Sequence, residues 1–298
     1  MKIIIMSGLP ASGKSTKAKE LIELYGNYVR VNRDLLRKML HFDKWTPLNE
    51  KVTIQVEKAI IKEIITSGKN VIIDDTNLGD TKNKWIDLAK SLDANWEVIE
   101  INTPIEECIF RDLNRKESVG KHVIINMARR NKIFINDLPD VICDLDGTLC
   151  NIEHRTHFVE DVNNKDWHHF FEAMSDDIPN QNVIDILSKE KDSCNIVFVS
   201  GRPDDYKQKT IDWLRKYLPF EYQTLIMRHA GDHRPDNEVK TDIANTYFKK
   251  ENIKVVIDDR PNVIVKTWIP LVGIEKIIDV GNNERFINER EELNYWSN

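Results

Sequence analysis

The octapeptide Gly8-Leu9-Pro10-Ala11-Ser12-Gly13-Lys14-Ser15 constrains this chain more than any other feature. It has the spacing G-x-x-x-x-G-K-[ST] and follows a short apolar run at residues 2–6. A run of that length ending at a glycine reads as a buried parallel strand. A helical stretch from Lys14 to about Leu24 comes next. Between a strand and a helix, such a loop turns its backbone N–H groups inward around phosphate oxygens. Lys14 then reaches the outer phosphates, and Ser15 offers a hydroxyl to Mg²⁺. Gly8, Ser12, Gly13, Lys14, Ser15 and Thr16 are therefore expected to hold the phosphates of ATP.

The rest of the first half repeats the strand–helix rhythm. Strands are expected at residues 28–31, 71–73 and 96–101, and helices at 52–65 and 82–92. The segment Asn136-Asp137-Leu138-Pro139-Asp140 breaks this rhythm, and a new series begins with strands at 141–143, 196–199 and 254–257. The expected architecture is α/β, with two doubly wound parallel-sheet domains at residues 1–138 and 139–298. Ligands of such sheets bind at the carboxyl ends of the strands, where both halves place their polar residues.

Charge divides the same way. The net charge is −6, yet residues 1–138 carry 23 Lys and Arg against 19 Asp and Glu, leaving −10 for the remainder. The first half could meet a phosphate chain without wrapping it. The four cysteines, Cys108, Cys143, Cys150 and Cys194, form no C-x-x-C pair. With no 18-residue apolar run and no signal-peptide core, a reducing cytoplasm and no membrane are expected.

Asn32-Arg33-Asp34-Leu35-Leu36-Arg37 follows the second strand of the first half. Asp34 there is either a base for an attacking hydroxyl or the N-cap of the next helix. Arg37, one turn on, is placed to hold a substrate phosphate. Asp75, in Asp74-Asp75-Thr76-Asn77, closes another strand. It acts near Mg²⁺, braces a substrate-binding arginine or caps a turn. Arg111 and Arg115 share a helix face and are followed by Lys116 and Lys121. They form either a basic lid over the nucleotide or a solvated face.

In the second half, Asp144-Leu145-Asp146-Gly147-Thr148 lies directly after a strand. Two carboxylates at D-x-D spacing can act as nucleophile and as acid then base, with Mg²⁺ offsetting their charge. Ser200-Gly201-Arg202 offers a hydroxyl and N–H groups to a phosphate, and Asp258-Asp259 offers further metal ligands. Lys240 can neutralise the nucleophile. Asp144, Asp146, Asp258 and Asp259 are the expected metal set, and Thr148, Ser200, Gly201 and Arg202 the expected substrate contacts. His154, His157, His168 and His169 fit no common zinc spacing and read as surface or capping residues. Trp167, Phe170 and Phe171 read as the apolar face of a small helix rather than a base-stacking platform.

The order of these motifs resembles the polynucleotide kinase 3′-phosphatase family of T-even bacteriophages over nearly the whole chain. The second half resembles the haloacid dehalogenase-like (Rossmann-like) phosphatase superfamily. The resemblance implies a P-loop kinase that phosphorylates 5′-hydroxyl ends of DNA or RNA, with Asp34 as base, Arg37 on the adjacent phosphate, and Arg111 and Arg115 in the lid. It implies a phosphatase for 3′-phosphate ends, with Asp144 as nucleophile, Asp146 as acid/base, and Lys240, Arg228 and Arg234 at the substrate. It further implies self-association, a ligase acting downstream and, for a phage-encoded chain, the host cytoplasm. Two stretches depart from the family: Lys116-Glu117-Ser118-Val119 after Arg115, and the His- and Trp-rich residues 151–179. The alternative is a metabolic fusion of a small-molecule kinase and a small-molecule phosphatase; a non-catalytic module is disfavoured by Lys14, Ser15, Asp144 and Asp146.

Overall fold

The computed structural model describes residues 1–161 and 163–281. It divides into two compact units, one spanning Met1–Asn131 and the other beginning at Lys132. The division falls a few residues before the Pro139 break, and the end of the expected second domain, residues 282–298, lies outside the described residues.

The first unit has four parallel strands, β1 (Lys2–Ser7), β2 (Tyr28–Val31), β3 (Asn70–Ile73) and β4 (Asn95–Glu100), in the order β2-β3-β1-β4. Six helices connect or flank them: α1 (Lys14–Tyr25), α2 (Arg33–His41), α3 (Pro47–Thr66), α4 (Asn83–Ser91), α5 (Ile105–Leu113) and α6 (Lys121–Arg130). The apolar run of β1 is continuous because both of its faces are covered. Ile3 and Ile5 pack with Ile61, Trp85 and Ala89 on one side, and Ile4 and Met6 with Ala18 and Leu21 on the other. Gly13 stands at the N-cap of α1 with φ 103°, a conformation that a side chain would oppose.

Among the described residues the second unit has five parallel strands, β5 (Asp140–Cys143), β8 (Asn195–Pro203), β9 (Thr224–Arg228), β10 (Ile253–Asp258) and β11 (Ile277–Asp279), in the order β11-β10-β5-β8-β9. A two-residue antiparallel pair, β6 (Cys150–Asn151) with β7 (Ile178–Pro179), lies apart from it. Its helices are α7 (Glu153–Thr156), α8 (Trp167–Glu172), α9 (Gln181–Glu190), α10 (Lys207–Tyr217) and α11 (Asp236–Tyr247). A broken helical segment occupies residues 261–272. Again both faces are apolar: Val141 and Cys143 join one cluster, Ile142 the other.

From β5 the chain runs outward to β8 and β9, then returns to the other side of β5 for β10 and β11. The connections leaving β5 and β10 thus diverge, which opens a crevice at the carboxyl ends of these two strands. Ile257 pairs with Cys143, so the residues that follow, Asp258 and Asp144, emerge level. The sequence expectation of two parallel α/β units holds. β9 and β11, the hairpin pair and the small helix α7 are additions that the apolar pattern did not specify, whereas α8 is the small helix expected around Trp167, Phe170 and Phe171.

Candidate active sites

In the first unit, an open cleft of about 1390 Å³ lies over the carboxyl ends of β1 and β3, lined by Lys14, Ser15, Asp34, Arg37, Arg111 and Arg115 among others. The loop after β1 is tied to the loop after β3 by the Gly8 N–H, which donates to Thr76 O at 2.9 Å. A Cβ on Gly8 would meet Ser12 Oγ at 2.7 Å and Ile101 O at 2.8 Å, so the loop's path requires glycine there. The buried Lys14 ammonium donates to Gly8 O at 3.0 Å and Leu9 O at 2.6 Å. Burial lowers its pKa, against the opposing charge of Asp74. Ser12 Oγ is buried without a protein partner, a polar atom left for an incoming oxygen. These donors suit a nucleotide phosphate. Thr16 also lines the cleft.

Asn32, not Asp34, caps α2: its side chain accepts from Leu35 N at 3.0 Å. That resolves one of the open readings, since Asp34 is thereby the second helical residue, 83% exposed and facing the cleft. Arg37 donates to Asp34 Oδ1 at 2.6 Å and is held by Glu50 through two contacts at 3.0 and 3.2 Å. Asp75 does brace an arginine, but it is Arg33, whose backbone N–H donates to Asp75 Oδ1 at 2.8 Å and whose guanidinium lies 3.0 Å from Oδ2. Asp74 pairs with Arg30 at 2.6 Å. Arg111 reaches Ser12 O at 3.4 Å from the lid side, and Arg115 pairs with Asp112 at 2.5 Å. Asp112 is the hub of the α5–α6 turn, accepting from Ser118 Oγ at 2.6 Å and Gly120 N at 2.8 Å.

Glu57 has no counterpart in the motif reading. It is fully buried on α3 and accepts from Arg33 Nε at 2.8 Å. Burial and its hydrogen bond with Asp75 push its pKa up to about 8, against the pull of Arg33. Glu57 Oε1 and Asp75 Oδ2 are both buried and neither accepts a hydrogen bond, although the Arg33 guanidinium lies 3.0 Å from Oδ2; a proton on Glu57 would serve both oxygens. The folded state therefore retains a proton that the unfolded chain releases above about pH 4.5. Stability contributed here falls as pH rises from about 4.5 to about 8, by ~1 kcal/mol per unit. Glu57→Gln, which donates permanently, is expected to gain on the wild type across that window. Urea unfolding at several pH values reads this directly, and a gap that stays constant with pH would show that no proton is shared.

In the second unit, Asp144, Asp258 and Asp259 place one carboxylate oxygen each within 4.8 Å of one another, all three buried. Lys240, on α11, lies 2.8 Å from Asp144 Oδ1, 2.9 Å from Asp258 Oδ2 and 3.4 Å from Asp236. Trp268 Nε1 donates to Asp258 at 3.0 Å, and Thr148 Oγ1 donates to Asp259 at 3.0 Å. Burial pushes Asp144 up, with Asp258 and Asp259 adding to it against Lys240; burial and Asp258 push Asp259 to about 7. Burial alone would lower the Lys240 ammonium, but Asp144, Asp236 and Asp258 outweigh it and raise the net value. This crowding of oxygens around one ammonium suits a hard divalent cation such as Mg²⁺. Gly147, at φ 89°, leaves room for the cluster: a Cβ there would sit 2.2 Å from Asp259 Oδ2.

Several expected residues are placed otherwise. The Asp146 carboxylate is not in the triad; Oδ1 accepts from Arg155 at 2.6 Å and Arg202 at 2.5 Å, and these charges hold it well below the usual carboxylate range despite burial. Arg202, expected at the substrate, is fully buried and also pairs with Asp177 at 2.9 Å. Ser200 is fully buried, its Oγ accepting from Arg202 N at 3.2 Å. Thr148 binds Asp259 rather than facing the cavity. Arg234 is spent on Asp232 and Asp242 at 2.8 and 2.6 Å. Gly201 and Arg228 do line the cavity with Asp144 and Lys240. Arg155, Asp177 and Asp236 were missed, although Asp236 lies one helical turn before Lys240 and could have been found by that spacing.

Residues 139–277 match the family described as polynucleotide kinase PNKP phosphatase domain, and residues 3–133 match the AAA domain family. The chain thus joins a region that matches an AAA domain to one that matches the phosphatase domain of polynucleotide kinases. Its first unit is the P-loop domain and its second the haloacid dehalogenase-like phosphatase domain. A protein of Autographa californica nuclear polyhedrosis virus, named as a bifunctional polynucleotide kinase/RNA ligase, is 27% identical over 298 residues, covering 90% of this chain and 41% of that protein. The chain thus spans about two-fifths of this relative. The L-seryl-tRNA(Sec) kinase of Methanococcus maripaludis is 26% identical over 72% of this chain and 87% of its own length. A chain of the Pnkp1/Rnl/Hen1 RNA repair complex aligns with a TM-score of 0.39 and 26% identity, over 94% of this chain and 95% of that one. Among the described residues no helix is long and apolar enough to cross a membrane.

Proposed function

We propose that this chain heals nucleic-acid ends, transferring the γ-phosphate of ATP to a 5′-hydroxyl in the P-loop domain and removing a 3′-phosphate in the phosphatase domain. The observation that carries the reading is the acceptor side of the P-loop cleft. Asp34 is an exposed carboxylate beside an arginine that Glu50 fixes in place. A base next to a fixed guanidinium suits a hydroxyl whose neighbour in the molecule is a phosphodiester. Lys14, Arg111 and Arg115 would carry the charge of the transferred group, and Ser15 would hold Mg²⁺.

In the second site, Asp144 would attack the phosphorus while the bond to the 3′-oxygen breaks and that oxygen takes a proton by way of Asp146; water would then cleave the aspartyl-phosphate, releasing inorganic phosphate and restoring Asp144. Lys240 balances the charge on Asp144. Mg²⁺ on Asp144, Asp258 and Asp259 would offset the repulsion between these carboxylates and the substrate phosphate. Asp146 would be the proton-transfer partner through Oδ2, since Arg155 and Arg202 both hold Oδ1 and so orient the carboxylate. The products are ends that a ligase joins, so a ligase downstream, RNA as well as DNA ends, and self-association all belong to this proposal. So does the finer likeness to the T-even enzymes, which rests on motif order.

The test is transfer of labelled phosphate from ATP, in Mg²⁺, to an oligonucleotide 5′-hydroxyl against nucleosides and sugars, with phosphate release from a 3′-phosphorylated oligonucleotide beside it. Labelling of the oligonucleotide at least ten-fold above the small acceptors is expected. Labelling of the small acceptors alone would favour the metabolic fusion instead.

A further inference from the structure

The cavity that Asp144 shares with Lys240 has a volume of about 130 Å³. At roughly 30 Å³ for each water-sized group, it takes a phosphate but not a nucleotide. Whatever carries the phosphate must therefore lie across the cavity's mouth. The lining is polar at Arg228, Asp236 and Lys240 and aromatic at Trp167, Phe170 and Phe171 of α8.

The three rings are not equivalent. Phe170 and Phe171 are 5% and 9% exposed and belong to the core, whereas Trp167 is 49% exposed. The indole is fixed from behind. Phe171 lies near-parallel to it, with centroids 5.8 Å apart and 20° between planes, and Phe170 meets it edge-on at 5.7 Å. The helix that carries it is pinned by Asp166, whose side chain accepts from His169 N at 3.0 Å. The exposed Lys165 ammonium lies over the indole, 5.6 Å from its centroid, and would move from the ring to the backbone phosphate as a base stacks. The reading of these three residues as one apolar face therefore holds for the two phenylalanines only. A braced, half-exposed indole beside a cation is the arrangement that stacks a base and meets its backbone.

We propose that Trp167 is the stacking platform for the nucleobase of the terminal nucleotide whose 3′-phosphate enters the Asp144 cavity. It acts as a specificity residue, selecting a nucleotide end over a small phosphate ester, and takes no part in the bond changes. The proposal rests on the reading of this site as a 3′-phosphatase.

The experiment compares two oligonucleotides in the full chain, one ending in a normal 3′-phosphorylated nucleotide and one in a 3′-phosphorylated stable abasic sugar, with an alkyl phosphate as third substrate. Loss of one base–aromatic stack is expected to raise KM about ten-fold. The wild type should thus prefer the normal end by about that factor. Trp167→Ala should lose this preference through KM, with kcat and the abasic KM little changed, and Trp167→Phe should keep most of it. If the wild type shows the preference and Trp167→Ala retains it, or loses activity equally on both ends, the platform is refuted while the phosphatase reading stands. If the wild type hydrolyses only the alkyl phosphate, the phosphatase reading fails and the platform with it.

Discussion

Asp144→Asn is expected to abolish phosphate release from a 3′-phosphorylated oligonucleotide, by ~10³-fold or more, while leaving ATP-dependent labelling of 5′-hydroxyl ends at the wild-type rate. Asparagine is isosteric but cannot form the acyl-phosphate. The variant should also fold, because Lys240 keeps Asp258 at 2.9 Å and Asp236 at 3.4 Å after losing Asp144. Removing one of three crowded buried carboxylates relieves repulsion in the metal-free protein, so its unfolding midpoint should not fall. Lys14→Met gives the converse, with labelling reduced by ~10²–10³-fold and phosphate release kept. Each variant is the other's control for folding. Parallel loss of both activities in either one would mean that the two sites do not act independently.

What the sequence made legible follows from burial. Residues 3–6, 71–73 and 141–143 are apolar throughout because both faces of each sheet are covered. A carboxylate directly after such a run has to lie at a strand end, where it is either a ligand or a cap. Asp144 and Asp258 do lie at strand ends, and parallel pairing in register brings them level. Side-chain direction was not legible in the same way. Asp146 and Arg202 occupy motif positions at strand ends, yet their charged atoms turn toward each other and toward Arg155 and Asp177. Spacing says which residues can approach a centre, not which of them has a closer partner. The cap of α2 shows the same limit at one-residue resolution. Capping depends on extended backbone at Asn32, φ −139° and ψ 125°, and a composition that allows Asp or Asn at adjacent positions does not choose between them. Glu57 was invisible for another reason. On a helix with apolar spacing it reads as an exposed polar position, and only the tertiary contact with Arg33 and Asp75 accounts for its burial.

The cluster behind Asp146 yields the largest expected effect on stability. Arg155 and Arg202 are fully buried, as is Asp177, and with Asp146 they make a balanced set of two cations and two anions. Asp177 accepts from Arg155 at 2.6 and 2.7 Å and from Arg202 at 2.9 Å. Asp177→Leu leaves two buried guanidiniums against a single carboxylate, and loss of one partner from a buried ion pair costs about 3–5 kcal/mol. Replacing both partners with apolar groups costs much less, because no uncompensated charge remains. Arg155→Leu with Asp177→Leu is therefore expected to be more stable than Asp177→Leu alone, with a coupling energy of ~1–3 kcal/mol in a double-mutant cycle read by urea unfolding. The paired variant should still lack phosphatase activity, since Asp146 loses Arg155 and with it one of the two contacts that orient its carboxylate. Activity and stability then move apart, as they should if the cluster positions Asp146 rather than merely filling the core. Additive single effects would indicate that Arg155 and Asp177 are each satisfied independently, and that the short contacts between them contribute little to holding the site.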